Sequence, residues 1–278
     1  MKNFQNKVAA ITGAGSGIGQ QLAILLAKQG CNLSLSDVND QGLAETVEQA
    51  KQYGVRITSK HVDVANREEV YTWAEETVQN HGSVNLIFNN AGVALAATAE
   101  GASYEELEWI VNINFWGVVY GTKAFLPHLK ASKDGHIINI SSLFGLISQP
   151  SQSAYNATKF AVRGFTESLR QELDIQNVGV SATCVHPGGI RTNIAKSGRM
   201  SDSLKSIGMD PVRSAKSFDK LLRCSPELAA QTILNAVKAN KPRVLIGNDA
   251  KILDGLQRAL PTGYQAVSRF ASKLSSKL

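Results

Sequence analysis

The feature that most constrains this chain is a regular alternation of short apolar segments with longer segments of helical spacing. The apolar segments predict strands over Val8–Thr12, Cys31–Ser36, Arg56–Val62, Val84–Phe88, His136–Ser141 and Val178–His186. The segments between them predict helices over Gln20–Gln29, Leu43–Tyr53, Glu68–Asn80, Tyr104–Leu126 and Ala154–Leu173. Strands joined through helices require crossover connections, which indicates a mostly parallel sheet with helices on both faces. We therefore expect an α/β fold, a single doubly wound domain over residues 1–250.

Two segments depart from this alternation, and both carry an excess of positive charge. Residues 193–224 are rich in Ser, Lys, Gly and Met, and they hold seven Lys/Arg against three Asp/Glu. A connection of that length in a compact domain is typical of a lid or of a disordered insertion, and we interpret it as a substrate lid. A helix over Pro226–Ala239 and a strand over Arg243–Ile246 follow. Residues 251–278 are a basic C-terminal extension with five Lys/Arg against one Asp/Glu.

The extension is amphipathic as well as basic. One apolar face is approximated by Leu260, Tyr264, Val267, Phe270, Ala271 and Leu274. We expect this face to pack on the lid or on a neighbouring subunit, with peripheral attachment to a membrane surface as the alternative. The charge itself indicates solvated surface first, and contact with anionic substrates, partner proteins or membranes second.

Composition and motifs exclude several classes of protein. No apolar run reaches the roughly 18 residues of a membrane-spanning helix, and the N-terminus lacks a secretory cleavage site. The three cysteines are scattered, and the five histidines share no metal-ligand spacing, so we expect neither disulfides nor a metal. No DNA-binding motif accompanies the positive charge, so we expect no nucleic-acid partner. These observations favour an intracellular, cytoplasmic protein.

A glycine-rich turn is predicted between the first strand and the first helix. Glycines occur at 13, 17 and 19 in Thr12-Gly-Ala-Gly-Ser-Gly-Ile-Gly19. Glycine lets the backbone turn tightly and approach a diphosphate, which then lies at the N-terminus of the helix. The strict G-x-G-x-x-G pattern is absent, and a simple strand–helix turn is the alternative.

Asp37 ends the second predicted strand, 24 residues after Gly13. A carboxylate at this place accepts hydrogen bonds from the adenosine ribose hydroxyls and repels a 2′-phosphate. Neither Val38 nor Ser16 offers a cation to such a phosphate. The pattern favours NAD over NADP, and a turn-forming aspartate is the alternative.

Tyr155 and Lys159 lie four residues apart on a predicted helix, so their side chains share one face. An ammonium group near a phenol favours the phenolate and lowers the pKa of the tyrosine from about 10 toward neutral pH. Such a tyrosine can take or give a proton while a hydride moves elsewhere. The Tyr-x-x-x-Lys spacing is common by chance and carries little weight alone.

Four motifs in register resemble the short-chain dehydrogenase/reductase family. They are Thr12-Gly-x-x-x-Gly-Ile-Gly19, Asn89-Asn-Ala-Gly92, Ser142 thirteen residues before Tyr155-x-x-x-Lys159, and Pro187-Gly188. The resemblance covers residues 7 to about 192, and it implies a Rossmann-type fold. Neither the lid nor the extension is covered by a motif.

The resemblance also implies roles for the catalytic residues. Tyr155 corresponds to the family's general acid/base, and Lys159 to its pKa partner and a ribose ligand. Ser142 corresponds to the donor that holds the substrate oxygen. Asn114 fits the family's N-x-x-G position, where asparagine keeps a proton-relay water in place; Asn112 has the wrong spacing to Gly117.

Further residues are implied to bind the dinucleotide. Asp63 and Val64 correspond to the pair that holds the adenine, Asn90 to the residue beside the adenosine ribose. Ile190 and Thr192 correspond to those that fix the nicotinamide carboxamide. The full implied set is Gly13, Ser16, Gly17, Ile18, Gly19, Asp37, Asp63, Val64, Asn90, Ala91, Gly92, Tyr155, Lys159, Pro187, Gly188, Ile190 and Thr192.

The resemblance implies hydride transfer between NAD(H) and an alcohol or carbonyl substrate. Mixed apolar and basic character in the lid and extension favours a lipophilic substrate. One alternative is an NADPH-dependent reductase of acyl or other carbonyl substrates, and another is a dinucleotide-binding regulator without activity. The family's dimer interface is implied to be intact, so we expect a homodimer or a homotetramer.

Overall fold

The computed structural model describes residues 1–195, 198–211, 213 and 222–275. Within these residues the chain forms nine strands: β1 Val8–Thr12, β2 Asn32–Asp37, β3 Ile57–His61, β4 Leu86–Asn89, β5 Leu95–Ala96, β6 Gly135–Ile140, β7 Val180–Pro187, β8 Arg199–Met200 and β9 Arg243–Ile246. Seven of them make one sheet in the order β3-β2-β1-β4-β6-β7-β9. Each neighbouring pair in this sheet is parallel. The order reverses between β1 and β4, and ligands of doubly wound sheets bind at such a switch point.

The same residues form the helices that cover the sheet. They are α1 Gly17–Lys28, α2 Asp40–Lys51, α3 Arg67–His81, α4 Tyr104–Val111, α5 Gly117–Ser132, α6 Ser153–Gln176, α7 Pro226–Lys238, α8 Asn248–Ala259 and α9 Tyr264–Ser275. The predicted doubly wound α/β fold of Rossmann type is confirmed. The strand and helix boundaries differ from the predicted ones by a few residues, which is usual at helix and strand ends.

Apolar side chains fill both faces of the sheet. On one face Leu22 of α1 and Ile233 of α7 pack in a cluster with residues of β1 and β2. On the other face Trp73 of α3 and Phe125 of α5 pack in a cluster with residues of β1 and β4. All residues of β1 and β4 are buried, as expected for parallel strands covered on both sides. These two layers hold the carboxyl ends of the strands at one edge.

The helix predicted over Tyr104–Leu126 is interrupted, and the prediction of one regular helix is wrong there. Residues Asn112–Trp116 form a π turn between α4 and α5, and α5 continues to Ser132. A π turn adds one residue to a helical turn and often marks a functional site. A single π turn does not change the spacing of apolar residues enough to be recognised in the sequence. The turn contains Asn114, one of the implied catalytic residues.

The described part of the predicted lid is joined to the loop after β4. Strand β8 pairs with β5 in a separate two-stranded sheet. The Arg199 guanidinium lies 3.8 Å from the ring centroid of Trp109 on α4, a cation–π contact. Leu204, in the same described part of the lid, is fully buried. Lys196, Lys216 and Lys220, which contribute to the predicted basic charge of the lid, lie outside the described residues.

The C-terminal extension contains α8 and α9. The apolar face expected along it is divided, because Tyr264 is buried whereas Val267 and Phe270 are exposed. Tyr264 packs with Leu143 and Ile147, in the segment after β6, which is a different partner from the lid that we expected. The side chains of Ala271 and Leu274 lie outside the described set. Within the described residues, no helix is both long enough and apolar enough to cross a membrane.

Candidate active site

The turn between β1 and α1 depends on its glycines. Gly13 and Gly17 have φ angles of 65° and 55°, a region that side chains disfavour. A Cβ on Gly19 would lie 2.1 Å from the carbonyl oxygen of Gly13, so glycine alone permits this approach. Ser16 is the N-cap of α1, but its hydroxyl makes no capping hydrogen bond, while Ile18 packs into the core. The first N–H groups of α1 thus remain for an anionic ligand.

The end of β4 is tied to the end of β1 at the switch point. Thr12 Oγ1 accepts hydrogen bonds from the backbone N–H groups of Asn90 and Ala91, at 2.9 and 3.0 Å. The side chain of Asn90 donates to the carbonyl oxygens of Thr12 and Gly13, at 2.9 and 3.1 Å. Asn90 therefore fixes the start of the glycine turn against β4. Thr12, which sequence reasoning did not assign a role, is a partner in most of these bonds.

Asp37 lies at the carboxyl end of β2, facing the glycine turn. Its Oδ2 accepts from the backbone N–H of Gly15 at 2.7 Å, and its Oδ1 accepts from Asn39 at 2.9 Å. A Cβ on Gly15 would lie 2.9 Å from the same Oδ2, so the turn and the carboxylate are in close contact. Each carboxylate oxygen retains a further lone pair for a ligand hydroxyl. The adjacent Val38 is exposed.

The residues expected at the adenine lie after the next strand. Asp63 is exposed, and its Oδ1 accepts from the backbone N–H of Ala65 at 2.9 Å. Val64 is buried. A Cβ on Gly117 would lie 2.9 Å from Val64 Cγ2, so Val64 packs directly against the start of α5. The structure therefore places an apolar and an acidic side chain side by side here.

Tyr155, Lys159 and Ser142 converge at the carboxyl edge of the sheet. Lys159 Nζ lies 5.6 Å from the ring centroid of Tyr155 and donates to the carbonyl oxygen of Ile140 at 3.1 Å. A hydrogen bond joins the hydroxyls of Ser142 and Tyr155. Ser142 Oγ also accepts from the backbone N–H of Phe144 at 3.1 Å. The predicted catalytic trio is thus brought together.

Burial has the largest effect on the pKa values of Tyr155 and Lys159. It raises the pKa of Tyr155, and the hydrogen bond with Ser142 opposes that rise. It lowers the pKa of Lys159 to about 8. The expectation that Lys159 lowers the pKa of Tyr155 is therefore wrong for the protein alone, because desolvation of the phenolate outweighs the charge of an ammonium group that is itself buried. Lys159 remains mostly protonated at pH 7.

Asn114 is fully buried in the π turn. Its Oδ1 accepts from the backbone N–H of Val93 at 2.8 Å, and its Nδ2 donates to the Val93 carbonyl at 2.9 Å. Nδ2 also donates to Thr158 Oγ1 at 3.3 Å. A Cβ on Gly92 would lie 3.2 Å from Asn114 Oδ1 and 3.5 Å from Lys159 Nζ. These contacts make Asn114 the link between the loop after β4 and α6.

The loop after β7 runs across the glycine turn. Pro187 ends β7, and Gly188 continues into a loop in which Ile190 is buried. A Cβ on Gly17 would lie 3.0 Å from Thr192 Cγ2, so Thr192 reaches the N-terminus of α1. Thr192 thus brings the loop after β7 to the glycine turn.

Two residues that sequence reasoning did not assign hold the segment after Ser142. Asn156 Nδ2 donates to the carbonyl oxygens of Phe144 and Ile147, at 3.0 and 2.8 Å. His186 Nδ1 lies 2.9 Å from the Ser142 carbonyl oxygen. Burial lowers the pKa of His186 to about 4, so the ring is neutral near pH 7 and its proton is on Nδ1. The sequence signal that could have identified them is that each is a polar residue adjacent to a motif: Asn156 follows Tyr155, and His186 precedes Pro187.

The whole arrangement fits an extended ligand with a diphosphate at α1 and ribose hydroxyls at Asp37. At Gly13, Gly15, Gly17 and Gly19 a Cβ would meet protein atoms within 3.0 Å, so glycine at these positions permits the close packing of the turn. At the same edge of the sheet lie a general acid/base candidate and a lysine. Such a pairing suits a reaction in which a hydride leaves or reaches a carbon while a proton leaves or reaches the oxygen bonded to it.

Comparison with known proteins agrees with this geometry. The sequence pattern of the short chain dehydrogenase family matches residues 7–202. The chain is 50% identical over 266 residues to SadH of Mycobacterium tuberculosis, which is named as an oxidoreductase, and the match covers 95% of each chain. It is 30% identical over 267 residues to human estradiol 17-beta-dehydrogenase 11, covering 96% of this chain and 83% of the relative.

A solved structure shares the architecture. It is a short chain dehydrogenase/reductase from Burkholderia phymatum in complex with NAD, with a TM-score of 0.86 and 28% identity, covering 93% of this chain and 95% of that one.

Proposed function

The chain belongs to the short-chain dehydrogenase/reductase family, and from that premise we propose that it oxidises an alcohol to a carbonyl, or the reverse, with Tyr155 as general acid/base. Membership makes it an oxidoreductase that acts on CH–OH or carbonyl groups with a nicotinamide dinucleotide. The observation that carries the proposal is the convergence of Ser142, Tyr155 and Lys159 beside the glycine turn.

In the oxidative direction, the substrate hydroxyl lies between Ser142 and Tyr155. The Tyr155 phenolate takes the hydroxyl proton while the carbon loses a hydride, and the carbonyl product forms. Ser142 donates a hydrogen bond to the oxygen throughout, and donors aimed at a developing charge supply a large share of catalysis. The bound nicotinamide dinucleotide supplies the hydride acceptor, or the donor in the reverse direction.

Lys159 has two roles in this proposal. Its ammonium group opposes the rise that burial causes in the pKa of Tyr155 and so favours the phenolate form, and it binds a ribose hydroxyl of the dinucleotide. Lys159 and Asn114 then pass the proton of Tyr155 toward solvent through water. A Cβ on Gly92 would lie within 3.5 Å of both Asn114 Oδ1 and Lys159 Nζ, which supports their closeness.

We propose NAD as the preferred cofactor. Asp37 presents a carboxylate beside the glycine turn, and a carboxylate binds ribose hydroxyls but repels a 2′-phosphate. The exposed neighbour Val38 offers no cation. An NADPH-dependent reductase of acyl or other carbonyl substrates is the alternative, and it predicts the reverse preference. A silent regulator is disfavoured because Asn114, Ser142, Tyr155 and Lys159 are all present.

The substrate we propose is lipophilic. The cluster around Tyr155 is apolar and contains Leu95, Ala97 and Phe144. A relative at 30% identity is named for the steroid estradiol, which is an apolar alcohol. A substrate carbon near Tyr155 is thus surrounded by hydrocarbon, which favours apolar substituents on both sides.

The assembly we propose is a homodimer or homotetramer. Trp116 and Phe160, near the start of α5 and on α6, are large apolar side chains that are 42% and 37% exposed. Trp116 stacks on Tyr120 with 5.7 Å between ring centroids. Exposed aromatic side chains on neighbouring helices are typical of subunit interfaces.

The decisive experiment follows NAD⁺ reduction at 340 nm with a panel of alcohols from short diols to long-chain and steroidal ones. We expect turnover to rise with apolar surface, and Tyr155→Phe to reduce it by roughly 10²–10⁴-fold while NADH still binds. Turnover that survives in Tyr155→Phe would reject the proposed role. A parallel titration tests the cofactor: NADH must bind more tightly than NADPH, and Asp37→Ala must narrow the difference.

A further inference from the structure

The C-terminal extension contacts the segment that carries Ser142. Tyr264, the first residue of α9, is buried, and its phenolic oxygen accepts a hydrogen bond from the backbone N–H of Ser148 at 3.1 Å. It lies in an apolar cluster with Leu143 and Ile147 of that segment. Leu253 and Leu256 of α8 pack against the same cluster. The segment is therefore covered by both helices of the extension.

Phe144 connects this cluster to the proposed acid/base. Its ring packs against the cluster that contains Tyr264 and against the separate cluster that contains Tyr155. The rings of Phe144 and Tyr155 meet edge to face, with 6.1 Å between centroids. A displacement of α9 would therefore be transmitted through one side chain to the phenol, and through the backbone to Ser142.

The extension also contacts the loop after β7. Asp249, at the start of α8, accepts a hydrogen bond at Oδ2 from the backbone N–H of Gly189 at 2.7 Å. A Cβ on Gly188 would lie 2.2 Å from Asp249 Oδ1, so glycine is required for this contact. The Gly189 carbonyl accepts from the backbone N–H groups of Arg223 and Cys224, at 3.0 Å each. Asp249 therefore holds one side of a loop whose other side is held by the last two residues of the lid.

We propose that the C-terminal extension positions two parts of the active site. Tyr264 fixes the segment Ser142–Ser148 that holds the substrate oxygen, and Asp249 fixes the loop at Gly188–Gly189 that borders the dinucleotide. Neither is a catalytic residue, because neither touches the proposed reacting groups. The expected changes in kcat/KM and KM rest on the proposed function, whereas the expected changes in hydrogen exchange do not.

The two anchors predict separable kinetic effects. Loss of the Tyr264 hydroxyl affects the substrate oxygen site, whereas loss of the Asp249 carboxylate affects the dinucleotide site. A merely structural role for the extension would change both together, in proportion to the loss of stability. Each variant is therefore a control for the other, because each should change the kinetic constant that the other leaves unchanged.

The test compares Tyr264→Phe and Asp249→Ala with two exposed control positions, Val267→Ala on α9 and Lys251→Ala on α8. Hydrogen exchange reports the amides of Ser148 and Gly189, and steady-state kinetics report KM for the alcohol and for NAD⁺. We expect Tyr264→Phe to speed exchange at Ser148 by about tenfold and to lower kcat/KM for the alcohol by a similar factor. KM for NAD⁺ should stay within about twofold of the parent value.

Asp249→Ala should affect the dinucleotide instead of the alcohol. We expect faster exchange at Gly189, a KM for NAD⁺ raised about tenfold, and little change in KM for the alcohol. The controls should match the parent protein. Unchanged exchange at Ser148 in Tyr264→Phe would overturn the proposal, as would parallel losses in both variants that follow the melting temperature. If the parent protein turns over no alcohol, the proposed function fails, and the exchange measurements alone still decide whether the two anchors exist.

Discussion

The glycine turn and the segment Ser142–Gln149 lie at the same edge of the sheet, yet they are held in different ways. The turn is shaped by its own glycines and by residues at the ends of adjacent strands, chiefly Asn90 and Asp37. The later segment takes its hydrogen bonds from α6, β7 and α9, through Asn156, His186 and Tyr264. The first region therefore depends chiefly on close backbone approaches at its glycines, and the second on hydrogen bonds from side chains of three other elements.

The difference has a consequence for how each region tolerates change. A turn built from backbone contacts fails when a side chain is added, because backbone atoms cannot move aside. A segment held by distant side chains fails when one of those side chains is removed, because buried carbonyls lose their donors. The following variants test this contrast, beginning with the largest expected effect.

Lys159 gives the largest effect, and it separates activity from stability. We expect Lys159→Met to lower kcat by roughly 10²-fold or more. Burial lowers the pKa of Lys159 from 10.5 to about 8, so below pH 8 its protonation in the folded state costs about 3 kcal/mol. Losing its bond to Ile140 costs about 1 kcal/mol, so the variant should be more stable by about 2 kcal/mol.

The stability difference has a defined pH dependence. Between pH 8 and 10.5 the unfolded chain binds the proton and the folded chain does not, so the parent protein gains stability as pH rises. The advantage of Lys159→Met should thus be full below pH 8 and vanish toward pH 10.5. Urea unfolding of both proteins across that range measures it, and an advantage that grows with pH would contradict the assignment.

Gly19→Ala tests the region built from backbone contacts. The added Cβ would lie 2.1 Å from the carbonyl oxygen of Gly13, so the turn must shift away from its present path. We expect NADH affinity to fall by about 100-fold, or roughly 2.7 kcal/mol. Fluorescence titration with NADH measures the change, and affinity within threefold of the parent would show that the turn is more adaptable than its contacts indicate.

Two asparagines allow a matched comparison of the regions. Asn90 and Asn156 each donate two side-chain hydrogen bonds to backbone carbonyls. Asn90→Ala should weaken NADH binding by about tenfold, and Asn156→Ala should lower kcat/KM for the alcohol by about tenfold with NADH binding unchanged. If either variant lowered both quantities equally, the two regions would not be independent.

Gly255→Ala gives the smallest expected effect, and it tests the extension alone. A Cβ at this position of α8 meets no atom within 4 Å, so only helix propensity changes. We expect the free energy of unfolding to rise by about 0.5–1 kcal/mol, measured by urea unfolding, with unchanged kinetics. A loss of activity here would indicate that this face of α8 is in contact with another subunit.

The sequence was sufficient for the fold and for residues within motifs. Strand and helix periodicity predicted the parallel sheet. The spacing of Tyr155 and Lys159 predicted that they share a helix face, and the family resemblance added Ser142 to them. Supporting residues such as Tyr264 and His186 were not predictable, because their contacts join distant positions. Tyr264 and Ser148 are 116 residues apart, and His186 and Ser142 are 44 apart. Sequence periodicity carries no information on which distant surfaces meet.

The direction of the pKa shift of Tyr155 could not be predicted from the sequence either. A spacing of four residues predicts that Lys159 is a neighbour, but the sign of the pKa shift depends on burial of both groups. In the folded protein that burial raises the pKa of Tyr155 and lowers that of Lys159. Solvent exposure of particular atoms is a property of the assembled fold.

The start of α1 has a consequence for the lifetime of the protein. Ser16 makes no capping hydrogen bond there, so the first N–H groups of the helix are left for water in the free protein and for an anionic ligand in the complex. A dinucleotide present at 100 times its dissociation constant adds about 2.7 kcal/mol to the folded state. The abundance of the protein in a cell would then follow the supply of dinucleotide, since chains without ligand unfold more often and meet proteases in that form.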